Sequence, residues 1–311
     1  MRRLSSILIV IFSMTIAMAQ AQEQKVILIT GTASGIGKAA ATALIEKGHT
    51  VYGGDIQVEN NLYLNDIGGH ALVMDVTKMD QVKAGVQKVI DEQGRIDVLI
   101  NNAGYGSFAT IENIDLEELK AQFDVNVFGY ARLQQAVLPH MRKQRSGLII
   151  EVSSVVGEIS YPMLGWYAAT KHAVEAMADA LRQEVAPFGI DVVKIQPGAV
   201  KTNFPNVALA KLDGSDIPED YKQLAADFKM VVEGTYEYNA ESTDGTIGFM
   251  VQAIEAEDPE TEYRTTPSAK MAIMVKGSMT EKEHDELNAR QFKEAVTYLK
   301  RAKEAQKKKG E

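Results

Sequence analysis

The chain has no cysteine in 311 residues. Disulfides, thiol nucleophiles and thiolate metal sites are excluded, and the redox compartment stays open. Nor is there an excess of positive charge: 33 Lys and Arg stand against 42 Asp and Glu, for a formal charge of −9. Nothing over the main body resembles the basic footprint of a nucleic-acid binder, so no nucleic-acid partner is expected. Histidines are few. His49, His70, His140, His172 and His284 lack compact ligand spacing, and no metal site is expected. The chain does have 45% hydrophobic residues, enough for one large α/β domain and too many for a disordered chain.

Long apolar runs are absent except at the N-terminus. Arg2 and Arg3 precede a mostly apolar stretch, Leu4 to Ala19, interrupted by Ser5, Ser6, Ser13 and Thr15. Ala17-Met18-Ala19 fits a small-x-small cleavage site, with Ala19-Gln20-Ala21 as a second choice. Residues 1–19 therefore read as a secretory signal peptide. An uncleaved membrane anchor is the alternative, although the run is shorter than the about 20 residues that usually span a bilayer. The first core strand follows within a few residues, so this segment stands in front of the fold.

From there, short apolar runs alternate with helical patterns. VILIT (26–30), 49–53, 71–74, 96–100, 148–152 and 190–195 read as strands. Residues 38–47, 79–92, 116–141, 166–186 and 246–256 carry helical periodicity, and 116–141 is long enough for two helices. This is the βαβ pattern of a doubly wound parallel sheet, a Rossmann-type single domain in three α/β/α layers. Residues 203–239 are mixed, broken by Pro205, Gly214 and Pro218, with a helical stretch from Glu219 to Met230. Placed after a strand end, they suit a cover over a substrate, with Phe204, Phe228 and Met230 as apolar contacts. Met271 to Val275 reads as a last strand. Residues 280–311 read as a polar helix with a solvated basic tail at Lys303, Lys307, Lys308 and Lys309.

Gly31, Gly35 and Gly37 follow the first strand and open a helix. A tight turn at a helix start gives a pyrophosphate close access to backbone N–H groups. The spacing, G-x-x-x-G-x-G, is one residue longer than the usual dinucleotide fingerprint. Asp55 closes the second strand, where a carboxylate can accept from an adenosine ribose and repel a 2′-phosphate. Ile56 and Gln57 follow it and bring no cation, so NAD is favoured over NADP. Asp75 and Val76, after the third strand, could frame the adenine, while Asp75 also suits a helix cap. Tyr167 and Lys171, in YAATK, share one helix face. A lysine ammonium beside a phenol favours the phenolate, which would make Tyr167 an acid or base near neutral pH.

These residues resemble the short-chain dehydrogenase/reductase family over roughly 25–275. TGTASGIG, with Gly31, Ser34, Gly35, Ile36 and Gly37, matches its cofactor turn. Asn101-Asn102-Ala103-Gly104 matches its NNAG element, which implies that Asn102, Ala103 and Gly104 line the cofactor pocket. Pro197, Gly198, Val200 and Thr202, in PGAVKTNF, match the segment at the nicotinamide end. The resemblance implies a catalytic tetrad of Asn126, Ser154, Tyr167 and Lys171. Tyr167 would be general acid in reduction and base in oxidation. Lys171 would lower its pKa and bind the nicotinamide ribose. Ser154 would hydrogen-bond the substrate oxygen, and Asn126 would hold a water leading to Lys171. The stretch 124–204 and Glu262-Tyr263-Arg264-Thr265 resemble the subgroup of 17β-hydroxysteroid and retinol dehydrogenases and their bacterial relatives. That implies a secondary alcohol–ketone pair, apolar and bulky, and a homodimer or homotetramer. An NADP-linked carbonyl reductase of the same family is the alternative, and a non-catalytic nucleotide-sensing or scaffold protein on the same fold is the contrasting reading. Gln196 departs from the family, which more often has an acid there. The N-terminal signal points to export, to the periplasm or beyond, while fold and cofactor point to the cytoplasm. Membrane contact is expected only with an uncleaved anchor.

Overall fold

VILIT contains no polar face, so both sides of this strand must be covered by helices. The computed structural model describes residues 23–310, with backbone only for 306–310, and shows that cover. The signal segment expected at 1–19 lies outside the described residues, as do the side chains of Lys307, Lys308 and Lys309. Seven strands form one fully parallel sheet: β1 (Val26–Thr30), β2 (Thr50–Asp55), β3 (His70–Val73), β4 (Val98–Asn101), β5 (Gly147–Val152), β6 (Ile190–Gln196) and β7 (Glu262–Arg264). Their order is β3-β2-β1-β4-β5-β6-β7. Strand order reverses at β1, which lies between β2 and β4, and the carboxyl ends there open a crevice.

Alternate residues of β1 feed two cores. Ile27 and Ile29 pack with Ala40, Ala41 and Leu44 of α1 (Gly35–Glu46) and with the later helix Thr243–Glu255. Val26 and Leu28 face the other layer. There stand α2 (Met79–Gln93), α3 (Leu116–Phe123), α4 (Gly129–Gln144) and α5 (Gly165–Val185). The expected long helical stretch 116–141 is two helices joined by a π-turn, Asp124–Phe128, which contains Asn126. Asp115 starts the pair by accepting from the Glu117 and Glu118 N–H groups.

Residues 203–239 fold as α6 (Phe204–Asp213) and α7 (Lys222–Tyr238), followed by α8 (Thr243–Glu255). The strand expected at Met271–Val275 is instead inside a helix, α9 (Pro267–Gly277). Thr266 caps it by accepting from the Ala269 N–H, and Pro267 at the first turn fixes a helical φ. The seventh strand lies just before, at Glu262–Arg264, and pairs with β6. The segment read as a polar helix forms the last helix, α10 (Glu281–Gly310), and it packs on the body. Val296 and Leu299 are buried, and Lys300 pairs with Asp227 of α7 at 2.8 Å.

Candidate active site

The turn after β1 brings backbone close to the crevice. Gly31 and Gly35 have φ of 75° and 57°, which L side chains rarely adopt. A Cβ on Gly37 would lie 2.1 Å from the Gly31 carbonyl oxygen. Ser34 stands at the N-cap of α1 without a side-chain cap, and the first turn holds no acid, so its N–H groups suit an anion. Thr202 faces Gly35 across the crevice, 3.5 Å from where a Cβ would be. Asn102 donates to the Thr30 and Gly31 carbonyls at 2.9 and 3.2 Å, locking the turn to β4. Thr30 Oγ1 accepts from the N–H groups of Asn102 and Ala103.

Asp55 lies at the crevice wall, and its two oxygens accept from Ala33 N–H at 2.9 Å and Gln57 N–H at 2.8 Å. Asp75 accepts from Thr77 N–H and hydroxyl in a local turn before α2, whose N-cap is Lys78 and not Asp75, and Asp75 and Val76 line the crevice. Gly198 is backed by Thr266, whose hydroxyl accepts from its N–H. The structure thus brings Gly31, Ser34, Gly35, Ile36, Asp55, Asp75, Val76, Asn102, Ala103, Gly104, Pro197, Gly198, Val200 and Thr202 to one cavity. Gly37 stands behind the turn and lets it close. This cradle, tight where a Cβ would intrude and rich in open N–H groups, fits a dinucleotide.

Tyr167 and Lys171 rise from α5 into the same cavity, and Ser154 reaches it from the end of β5. Ser154 accepts from Val156 N–H at 3.3 Å and donates to the Pro197 carbonyl at 3.4 Å. Lys171 donates to the Val152 carbonyl at 2.8 Å, with its ammonium 6.0 Å from the Tyr167 ring centre. Tyr130 donates to the same carbonyl. Burial pushes the Tyr167 phenol well up, Tyr236 adds to the rise, and Ser154 opposes it. The expectation that Lys171 lowers this phenol is thus corrected: the ammonium is held on Val152. Burial pulls Lys171 down to about 8, against the pull of Glu151 and Glu175. Asn126 is fully buried and off the cavity wall; its amide donates to the Tyr105 carbonyl and to Thr170 Oγ1 and accepts from Tyr105 N–H. Tyr52, another buried tyrosine, stacks on His70, donates to Glu92 and lines no part of the cavity.

The cavity holds ≈ 1430 Å³, more than the roughly 300–1,000 Å³ of a typical small-ligand site. Its far end is apolar. Phe108, Phe204, Phe228, Val231 and Phe292 line it, and the Tyr167 and Phe204 ring centres are 5.2 Å apart. Of the apolar contacts expected from 203–239, Phe204 and Phe228 line the cavity, and Met230 does not. Phe292, with Asp285 and Asn288, comes from α10, for which the sequence reading gave no part in the site. Its signal was there: Phe292, Val296 and Leu299 recur at helical spacing. Glu151 was also missed, although a carboxylate inside the apolar strand LIIEV is itself a flag. Among the described residues no group of acids and histidines could hold a metal ion.

Residues 25–212 match the family described as short chain dehydrogenase. Over 201 residues, 64% of this chain and 72% of the relative, the sequence is 44% identical to a 3-ketodihydrosphingosine reductase of Bacteroides thetaiotaomicron. It is 33% identical to an NADPH-dependent 3-dehydrocapnine reductase of Ornithobacterium rhinotracheale, over 81% of this chain and 90% of that one. Among solved structures, a short-chain dehydrogenase from Streptomyces avermitilis superposes with a TM-score of 0.74 at 28% identity, covering 88% of this chain and 98% of the other. With the motifs, the sheet order and the dinucleotide cradle, these matches establish that the chain belongs to the short-chain dehydrogenase family and is an NAD(P)-dependent oxidoreductase acting on alcohol and ketone groups.

Proposed function

We propose that the protein reduces a long-chain apolar ketone to its secondary alcohol, with Tyr167 as proton donor. One observation carries this reading: the phenol of Tyr167 stands where the dinucleotide cradle meets a wall of aromatic and aliphatic side chains. A phenol raised by burial keeps its proton until an alkoxide forms to take it. Ser154, tied only by weak contacts, turns its hydroxyl to the substrate oxygen and stabilises the charge developing there. Lys171 holds the ribose of the cofactor, and Asn126 orders a water that returns protons towards Lys171. The nicotinamide, when bound, supplies the hydride in reduction and accepts it in oxidation. The names of the Bacteroides and Ornithobacterium relatives, a 3-ketodihydrosphingosine reductase and a 3-dehydrocapnine reductase, support ketones of that kind, and so 2-amino-3-ketones, as the class to test here. The resemblance to hydroxysteroid and retinol dehydrogenases also favours bulky apolar substrates.

Each buried methylene contributes about 0.8 kcal/mol, so two add roughly tenfold in kcat/KM. With reduced dinucleotide and a series of 2-amino-3-ketones, kcat/KM should climb with chain length and exceed that for a steroid ketone. A flat series, or preference for the shortest member, contradicts the substrate class.

We further propose NAD as the preferred cofactor, because Asp55 sits at the ribose end with Ile56 and Gln57 after it. Asp55→Ala should weaken the preference. The NADPH in the Ornithobacterium relative's name supports the opposite choice, and equal wild-type kcat/KM with NAD and NADP forms would refute ours. We propose that α6 and α7 cover the bound substrate, that the chain self-associates as a dimer or tetramer, and that the N-terminal segment directs it out of the cytoplasm. Among the described residues no helix is long and apolar enough to cross a membrane. N-terminal sequencing of protein from the native host tests the last point: a soluble cytoplasmic chain retaining Met1 contradicts it.

A further inference from the structure

Lys171 is 4% exposed, and burial alone would strip its proton. Two carboxylates oppose that loss. Glu175 already serves Lys194 at 3.0 Å and accepts from Gln196 at 3.0 Å. Glu151 is different. It is 1% exposed on β5, one residue before the carbonyl that receives the Lys171 ammonium. Its Oε1 accepts from Asn101 of β4 at 3.0 Å and from Gln134 of α4 at 3.1 Å. Its Oε2 is buried and has no hydrogen-bond partner among the described residues. Two amides thus aim one oxygen, and the whole group is kept from water. The cation acting on it is Lys171.

We infer that Glu151 is a positioning residue, a buried carboxylate that holds the positive charge on Lys171 through the working pH range. The inference rests on the Tyr167–Lys171 reading above. The groups facing Glu151 leave it that task. Tyr130 of α4 is fully buried and pushed well up, so it stays neutral. Tyr167 of α5 is neutral for the same reason. Glu175 of α5 is compensated by Lys194 of β6. Asn101 and Gln134 bring no charge. Burial pushes the Glu151 carboxyl up to about 7, with Gln134, Asn101 and Lys171 pulling it back, so the two groups share a proton balance close to neutrality. Without the carboxylate, the ammonium loses the larger of the two acidic influences that oppose burial. It should then deprotonate at lower pH, and the alkaline limb of turnover should follow it down.

Glu151→Gln keeps the shape and the amide contacts while removing the charge. Two readouts decide: kcat/KM for ketone reduction against pH, and the titration of Lys171 followed by NMR in protein carrying ¹³Cε-lysine, assigned by its absence in Lys171→Met. Both midpoints should move down by about one pH unit or more in Glu151→Gln, and Glu151→Asp, which restores the charge, should recover much of the shift. An unchanged Lys171 midpoint in Glu151→Gln overturns the inference and leaves Glu151 as a tie between β4 and α4. Should Glu151→Gln not fold, Lys171→Met supplies the reciprocal test by ¹³C NMR of the glutamate carboxyl. Glu151 must then titrate higher than in the wild type, and no change overturns the inference. If Tyr167→Phe retains turnover, the catalytic reading fails on its own, while the two NMR titrations still judge Glu151.

Discussion

Burial raises the Tyr167 phenol, which suits the proton donor proposed for ketone reduction. Tyr167→Phe should lower kcat by roughly 10²–10⁴ while the dinucleotide Kd stays within a few fold, since the ring packs as before. Near-normal kcat would remove Tyr167 from the chemistry. Lys171→Ala should damage both kcat and dinucleotide affinity, because the ammonium is asked to do two things. If only one changes, the double role is wrong. Much of the site was readable from spacing. Gly31, Gly35 and Gly37 sit in an obligatory turn, and Tyr167 and Lys171 share a face whatever surrounds them. What surrounds them was not readable. The expected pull of Lys171 on the Tyr167 phenol is outweighed by burial, and the ammonium is drawn to the Val152 carbonyl, a contact between helix and strand end that no local pattern encodes.

At the scale of elements, ion pairs tie together the helices proposed to cover the substrate, with Lys300 of α10 on Asp227 of α7. Lys229 pairs with Asp213 at 2.6 Å, joining α7 to α6, and Lys211 pairs with Glu118 at 2.8 Å, joining α6 to α3. Hydrogen exchange should slow across 203–239 when dinucleotide and a long-chain alcohol are both added. No added protection would argue against closure over the substrate. A second prediction concerns β6. Gln196 is fully buried and donates to Glu158 at 3.1 Å and Glu175 at 3.0 Å. An acid there would set a third carboxylate against two, which gives a physical reason for the family departure. Gln196→Glu should cost about 1–3 kcal/mol of stability, read as a lower urea midpoint. An unchanged midpoint would show that the three groups do not compete. The sheet strands were legible because apolar runs between turns have few other solutions. The strand expected at 271–275 failed because the apolar run MAIMV suits a half-buried helix equally, and Thr266 with Pro267 starts one.

At the scale of the molecule, the sheet and its two helical layers could be inferred from the alternation of strands and helices, whereas the role of α10 as a cavity wall was marked only by the spacing of Phe292, Val296 and Leu299. A polar helix near a chain end looks solvated until its partner helix is known. The surface also bears on assembly. Leu116 and Phe128 are 65% and 53% exposed, apolar side chains of the kind that a second copy would cover. Sedimentation at micromolar concentration should therefore show species above the 34.1 kDa chain, and a lone monomer would reject self-association. The central claim is that one cavity joins a dinucleotide, Tyr167 and a long apolar ketone. Its most direct test is the absorbance change of reduced dinucleotide with a long-chain 2-amino-3-ketone, in the wild type and in Tyr167→Phe. The account requires oxidation of the cofactor by the wild type, dependent on the ketone and faster for longer chains, and near-abolition in the variant. Turnover that ignores chain length, or survives in Tyr167→Phe, would contradict it.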